Sequence, residues 1–191
     1  MVTAMSERGP SFGRRLPLTT MVIVAALLLT ACGEAATVPA AADHGLGLLV
    51  VPEPDRPAAP EISGRTLDGD DVTLSDLHGR IVILNAFASW CAPCQEELPE
   101  LVRAWRERPD VAFVGLDVND SAEAAKGFLA AEGAGYPVIS DAQGTLLAMF
   151  TASPNRGLPV TFLIDREGRV AGRILGRATR PALDSAMRAL S

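Results

Sequence analysis

Apolar residues between positions 80 and 118 fall into blocks that predict a strand, a helix and a second strand. The unbroken apolar run at residues 81–84 is typical of a strand that is buried on both faces of a sheet. Residues 93–108 place apolar side chains at helical spacing with charged side chains opposite them. Residues 111–118 then return to strand character. The apolar positions of the predicted helix are Leu98, Leu101, Val102 and Trp105.

Further along, the pattern predicts a second helix, three strands and a closing helix. Residues 120–123 resemble a capping box that begins a helix, and Gly133 is suited to end it. The segments with strand character are residues 138–140, 160–164 and 170–174, of which the last two form an antiparallel hairpin. The closing helix is predicted from apolar residues at i, i+3, i+4 and i+7, which are Leu183, Ala186, Met187 and Leu190.

An N-terminal β-hairpin is predicted ahead of these elements, because residues 62–74 carry a Leu-Asp-Gly-Asp turn between two short apolar stretches. Together the elements predict an α/β fold with a mixed central sheet, helices on both faces and this N-terminal hairpin. We place the domain at residues 60–191. Residues 46–51 are apolar enough for an additional edge strand, and the sequence leaves open whether they form one or belong to a linker.

The first 31 residues have the pattern of an export signal. Arg14 and Arg15 precede an apolar run at residues 16–31. That run is shorter than the ~20 residues that a membrane-spanning helix needs, which favours a cleaved signal peptide. The protein is therefore expected to leave the cytoplasm.

The end of the signal resembles the bacterial lipobox, since residues 29–32 read Leu-Thr-Ala-Cys. That resemblance implies lipidation of Cys32 and a lipoprotein signal peptide at residues 1–31. The protein would then be extracytoplasmic, anchored to the outer face of the cytoplasmic membrane. Residues 32–59, rich in Ala and Pro, are predicted to be a tether. An ordinary signal peptide, or an uncleaved anchor, with an incidental cysteine is the alternative.

Charge and cysteine content narrow the possible functions. The net charge is −6, and no basic stripe points to nucleic acid as a partner. The chain has three cysteines, Cys32, Cys91 and Cys94, which are too few and too unevenly placed for a disulfide scaffold. Each cysteine therefore needs its own explanation.

Cys91 and Cys94 form the candidate redox pair. Two cysteines separated by two residues, where a strand turns into a helix, place the first sulfur at the helix N-terminus. Unpaired N–H groups and the helix dipole favour an anion there. In such motifs the thiol pKa falls from about 8.5 into the range ~3.5–7.5. Cys91 is therefore predicted to attack a substrate disulfide as the thiolate, and Cys94 to resolve the mixed disulfide.

Other uses of the pair are disfavoured. A zinc site needs four ligands, but there is no second cysteine pair, and His44 and His78 are the only histidines. Attachment of a c-type haem needs a histidine after the second cysteine, where Gln95 stands. A static disulfide between residues i and i+3 closes so short a loop that its entropic benefit is small.

Longer motifs around the pair carry a resemblance to a known family. They are Asn85-Ala86-Phe87-Ala88-Ser89-Trp90-Cys91-Ala92-Pro93-Cys94, Glu97-Leu98-Pro99 and Gly157-Leu158-Pro159. On these motifs, residues 60–190 resemble the thioredoxin superfamily, in particular its exported TlpA/ResA/DsbE-like branch, which is associated with cytochrome c maturation. The resemblance implies a thioredoxin-like fold and a thiol–disulfide oxidoreductase that needs no cofactor beyond its redox-active disulfide.

The resemblance also implies a substrate-binding set around the pair. Pro159 is expected to be the cis-proline of the superfamily, which exposes the backbone of Leu158 for pairing with an extended substrate. An ordinary trans-proline at a strand start is the alternative. Trp90 and Pro93 complete the expected set, and a purely structural role for Trp90 stays open.

Glu97 resembles the acid that members of this branch place near the second cysteine. A partly buried carboxyl at this position would have a raised pKa and could exchange protons with Cys94 during resolution. The alternative is a solvated helix charge like that of Glu96 or Glu100.

The leading functional prediction is a disulfide reductase for exported proteins, with apocytochrome c as the natural substrate from the resemblance. Because no nicotinamide or flavin motif is present, a membrane thiol carrier of the CcdA/DsbD type is the implied electron donor. A net disulfide oxidase or isomerase is the alternative, since a few tens of millivolts decide the direction. A lipoprotein that binds a metal or a partner on a thioredoxin scaffold is disfavoured, because no histidine follows the cysteine motif.

Overall fold

The apolar run at residues 81–84 lies in the middle of a seven-stranded sheet. The structure, a computed structural model, describes residues 42–43, 47–151 and 157–190. In chain order the strands are β1 (Ala42–Asp43), β2 (Leu48–Val50), β3 (Ser63–Arg65), β4 (Asp71–Thr73), β5 (Val82–Phe87), β6 (Ala112–Val118), β7 (Val138–Asp141), β8 (Val160–Ile164) and β9 (Val170–Leu175).

The seven-stranded sheet is mixed, as the sequence predicts. Its strand order is β1-β2-β9-β8-β5-β6-β7. Strands β5, β6 and β7 are parallel, whereas β8 runs antiparallel to β5, and β9 and β2 continue antiparallel pairing from there. All six residues of β5 and all seven of β6 are buried, as expected for central strands that are covered on both faces.

Three helices cover one face of this sheet. They are α1 (Ala92–Glu107), α2 (Ala122–Glu132) and α4 (Arg180–Arg188), and each contributes residues to one hydrophobic core. The predicted capping of α2 needs a correction by one residue. Its N-cap is Ser121, whose hydroxyl accepts the Ala124 N–H at 3.2 Å, and not Asp120. Gly133 ends α2 in the left-handed conformation, with φ of 66°.

The opposite face is covered by shorter elements. The predicted hairpin is confirmed: β3 and β4 pair as a separate two-stranded sheet. A 3₁₀ turn at Leu74–Leu77 and the one-turn helix α3 (Thr145–Ala148) complete this layer. Together they bury a second core against the sheet, in which the rings of Phe150 and Phe162 stack with centroids 4.0 Å apart. The α/β sandwich with layers on both faces is thus confirmed.

The segment before residue 60 contributes to the main sheet. Leu48 is fully buried and pairs with Ile174 of β9, so the alternative left open for residues 46–51 resolves as the strand β2. Beyond it, the Val51 N–H donates to Ala171 O at 2.8 Å and the Ala59 N–H donates to Gly168 O at 2.9 Å. Residues 48–59 therefore pack with the sheet.

The export signal and Cys32 lie outside the described residues. Within the part of the chain that the structure does describe, no helix has both the length and the apolar character that crossing a membrane requires.

Candidate redox site

Cys91 stands where β5 gives way to α1. It is the N-cap residue of α1, and its C=O accepts the N–H groups of Cys94 at 3.0 Å and Gln95 at 3.1 Å. Pro93 follows in the first turn, where a missing N–H costs no helical hydrogen bond. The sulfurs of Cys91 and Cys94 are joined in a disulfide. The predicted geometry, with the first sulfur at the start of a helix, is therefore present.

The two cysteines differ in their access to solvent. Both residues are buried, with Cys91 5% exposed and Cys94 1% exposed, so Cys91 is the less covered of the two. Trp90, next to Cys91, is 61% exposed and is one of two large apolar side chains that the described surface displays. This arrangement suits attack by Cys91 and resolution by Cys94.

Pro159 lies across the sheet from the residues that lead to Cys91. The Leu158–Pro159 peptide bond is cis, the isomer that the resemblance implies. Val160, the next residue, pairs with Ala86 of β5, which places Pro159 at the active-site end of that strand. Among the described residues, none forms a hydrogen bond with the backbone of Leu158. Pairing of that backbone with an extended peptide stays a prediction.

Glu97 is buried in a hydrogen-bonded network behind the disulfide. Its side chain is 1% exposed, which rules out the solvated helix charge. Asn85 donates its amide Nδ2 to Glu97 Oε1 at 2.8 Å and to Thr161 Oγ1 at 3.0 Å. The Ala178 N–H donates to Glu97 Oε2 at 2.7 Å. Asn85 of β5 and Ala178, in the loop after β9, thus fix the carboxyl one helical turn after Cys94.

Burial is the main influence on the acidity of this carboxyl. Desolvation raises the pKa of Glu97 to about 7, although the hydrogen bonds from Ala178 and Asn85 and the charge of Arg177 oppose the rise. The group therefore changes protonation near neutral pH. This is the environment expected for an acid that exchanges protons with a thiol, while the exchange with Cys94 itself stays a prediction.

The acidic end of β6 was not predicted from the sequence. Asp117 lies in this strand, is fully buried, and has no hydrogen-bond partner for either carboxyl oxygen among the described residues. Burial, together with the charges of Asp120 and Asp141, raises the pKa of Asp117 to about 7. The available signal was an acidic residue inside the apolar run at residues 111–118.

The sequence predicts Asp120 as the cap of α2, but in the structure its carboxylate contacts the active-site segment, residues 88–91. Oδ2 accepts the Ser89 N–H at 2.6 Å, and Oδ1 accepts the Ser121 N–H at 2.8 Å. The neighbouring Asn119 C=O accepts the Trp90 indole N–H at 3.1 Å. Because β5 and β6 are parallel, the loops that follow them meet at one edge of the sheet, and this topology explains the contact.

The described residues contain no group of three or more histidine, cysteine or acidic side chains that could hold a metal ion. His78 stands against Gly168, in the turn between β8 and β9, at the end of β8 away from Pro159.

Known proteins that are similar to this chain include thiol–disulfide oxidoreductases. A family model described as the AhpC/TSA family matches residues 56–173. The thiol-disulfide oxidoreductase ResA of Bacillus thuringiensis (strain Al Hakam) is 32% identical over 136 residues, which cover 70% of this chain and 76% of that protein.

Solved structures of thiol–disulfide proteins are also similar to this chain. A thiol:disulfide interchange protein of the thioredoxin family from Chlorobium tepidum TLS is 31% identical with a TM-score of 0.65, and the match covers 71% of this chain and 96% of that one. A secreted thiol-disulfide isomerase from Corynebacterium glutamicum is 30% identical with a TM-score of 0.67, covering 78% and 95% of the two chains.

Proposed function

This chain belongs to the AhpC/TSA family and is a thiol–disulfide oxidoreductase similar to ResA, and from that premise we propose that it reduces disulfides of exported proteins. The observation that carries the proposal is the Cys91–Cys94 disulfide at the start of α1, beside the cis-peptide at Pro159. Both cysteines are buried, and Cys91 is more exposed than Cys94, which suits attack by the first sulfur and release by the second.

The proposed cycle uses only the two cysteines and a proton carrier. In the reduced enzyme, the Cys91 thiolate attacks a substrate disulfide, forms a mixed disulfide and releases one substrate thiolate. Cys94 then loses its proton and displaces the second substrate sulfur, which closes the Cys91–Cys94 disulfide and leaves the substrate reduced by two electrons. Glu97, ionised in part near pH 7, is the proposed acceptor of the Cys94 proton.

The substrate is proposed to bind as an extended peptide. Trp90, which is exposed, and Pro93, in the first turn of α1, lie on either side of Cys91 along the chain, and Leu158 precedes the cis-proline. A peptide that pairs with Leu158 would place its own cysteine over Cys91. Unfolded chains offer such segments, and apocytochrome c, suggested by the sequence resemblance, is the proposed substrate.

The proposed location is the extracytoplasmic face of the membrane. The export signal pattern and the lipobox-like residues 29–32 support a lipid anchor on Cys32. The similar isomerase from Corynebacterium glutamicum is itself described as secreted. Because the enzyme must be reduced again after each cycle, we propose a membrane thiol carrier of the CcdA/DsbD type as its electron donor.

A net oxidase or isomerase is the second candidate, and the structural similarity to a secreted thiol-disulfide isomerase favours it. The two functions use the same atoms and differ in reduction potential. A potential of about −120 mV, like that of the strong oxidant DsbA, would contradict the reductase.

The proposal is tested by trapping substrates in the native host. Cys94→Ala removes the resolving sulfur, so we expect mixed disulfides to accumulate on Cys91 and c-type apocytochromes to be recovered from them. Cys91→Ala, which retains the covered sulfur, is the matched control and should trap at least tenfold less. Equal trapping by both variants, or recovery of no exported protein, would contradict the proposed function.

A further inference from the structure

The loop between β6 and α2 holds the segment that leads to Cys91. Asp120 Oδ2 accepts the Ser89 N–H at 2.6 Å, and the Asn119 C=O accepts the Trp90 indole N–H at 3.1 Å. Asn119 adopts a positive φ of 52°, which is uncommon for a residue other than glycine. Two consecutive residues of the loop are thus joined to two consecutive residues of the active-site segment.

These contacts bring the Asp120 carboxylate close to Cys91. The Cys91 N–H donates to the Ala88 C=O at 3.2 Å, which closes a turn around Ser89. In such a turn the first and fourth Cα atoms lie within about 7 Å of each other. Asp120 accepts the N–H of Ser89, which lies inside this turn two residues before Cys91, so we expect its charge to act on the Cys91 sulfur.

Asp120 carries its charge at neutral pH. Burial opposes ionisation, but hydrogen bonds from Ser89 and Ser121 outweigh it and lower the pKa of Asp120. No arginine or lysine in the described ranges forms an ion pair with it. The charges of Asp120 and Asp141 both raise the pKa of the buried Asp117, so acids stand close together at this end of β6.

We propose that Asp120 is a positioning residue that holds the active-site segment and, through its fixed negative charge, makes the Cys91–Cys94 couple more reducing. The start of α1 stabilises the Cys91 thiolate, and the nearby carboxylate opposes that stabilisation. Destabilising the thiolate disfavours the dithiol state relative to the disulfide. The inference rests on the proposed reductase function and gives the direction of that reaction a cause within this chain.

No atom of Asp120 is consumed in the reaction. The disulfide takes up two electrons from the donor, its S–S bond breaks, Cys91 is released as the thiolate, and Cys94 takes up a proton from water or Glu97. Asp120 changes only the free energy of the dithiol state relative to that of the disulfide state. At separations of about 7–10 Å, effective dielectric constants between ~20 and ~80 give roughly a twofold to fiftyfold effect on the equilibrium, and we expect one on the order of tenfold.

The test compares two aspartates at opposite ends of β6. Asp120→Asn retains an acceptor for the Ser89 N–H and removes the charge. We expect its equilibrium with glutathione to shift about tenfold toward the dithiol, a change of about 30 mV, and the pKa of Cys91 from alkylation rates to fall. Asp110→Asn changes the net charge equally at the far end of the strand and should leave both quantities unchanged.

Wild-type values of the potential and of the Cys91 pKa in Asp120→Asn would overturn the inference. If that variant does not fold, Asp120→Ser, which also offers an uncharged acceptor, should give the same shift. A purely structural role would lower the unfolding temperature and leave the potential unaltered. An oxidising potential in the unsubstituted protein would contradict the reductase, whereas the difference between Asp120→Asn and that protein still decides the role of Asp120.

Discussion

At the scale of single residues, the site depends on carboxyls whose surroundings give them opposite protonation behaviour. Glu97 is buried between Asn85 and the Ala178 N–H, and its pKa rises to about 7. Asp120 accepts two backbone N–H groups, and its pKa falls. One acid is therefore able to exchange protons at neutral pH, while the other keeps its charge.

Replacing Glu97 tests the proton-exchange role. Glu97→Gln preserves size and an acceptor oxygen but cannot take the Cys94 proton. We expect resolution of a preformed mixed disulfide on Cys91 to slow on the order of 10²-fold at pH 7 and to lose its inflection near that pH. Rapid-mixing measurement of substrate thiol release between pH 5 and 9 checks this.

Glu100→Gln is the matched control, since Glu100 lies on the same helix at the surface, paired with Arg103. It should follow the wild-type profile. Release that is equally fast and equally pH-dependent in the Glu97 and Glu100 variants would exclude Glu97 from proton exchange.

Cys91 and Cys94 were predicted from their spacing at the strand–helix transition, whereas Glu97 and Pro159 were predicted from the family resemblance. The role of Asp120 could not be assigned in this way, because its contact joins the loop after β6 to the segment after β5. Such contacts depend on strand order, which hydrophobic periodicity alone does not determine.

Among the secondary structure elements, the helices and central strands were predicted well by the amphipathic patterns. The edge strand β2 and the start of α2 were predicted less well. β2 was left open because Pro52 follows it at once, whereas its pairing with β9 stabilises it in the folded protein. The α2 cap shifted by one residue, because the Asp120 carboxylate binds Ser89 and the Ser121 hydroxyl takes over the cap.

Two glycines in and after α2 should respond oppositely to the same substitution. Gly133 ends the helix with φ of 66°, so Gly133→Ala is expected to lower the free energy of unfolding by about 1 kcal/mol. Gly127 lies inside the helix with open space beside it, so Gly127→Ala should raise that free energy by about 1 kcal/mol. Urea denaturation of both variants measures the pair, and a change of equal sign would contradict the assigned end of α2.

At the scale of the whole molecule, two buried carboxyls tie folding stability to pH. Glu97 on α1 and Asp117 on β6 both have a pKa raised to about 7, above their ordinary values of 4.5 and 3.8. Protonation therefore favours the folded state. The stabilisation of the folded state by these two protonated carboxyls is fully present below their ordinary pKa values and is lost as the pH rises through 7.

We therefore expect the disulfide form of the protein to lose stability between pH 6 and pH 8, by about 1 kcal/mol for each of the two carboxyls. Glu97→Gln and Asp117→Asn should each remove about half of this slope, and the double variant should be nearly flat. Glu100→Gln, which changes a surface acid, should retain the full slope. Urea unfolding at a series of pH values measures all four variants, and stability that rises from pH 6 to pH 8 in the unsubstituted protein would show that these carboxyls fold in their charged forms.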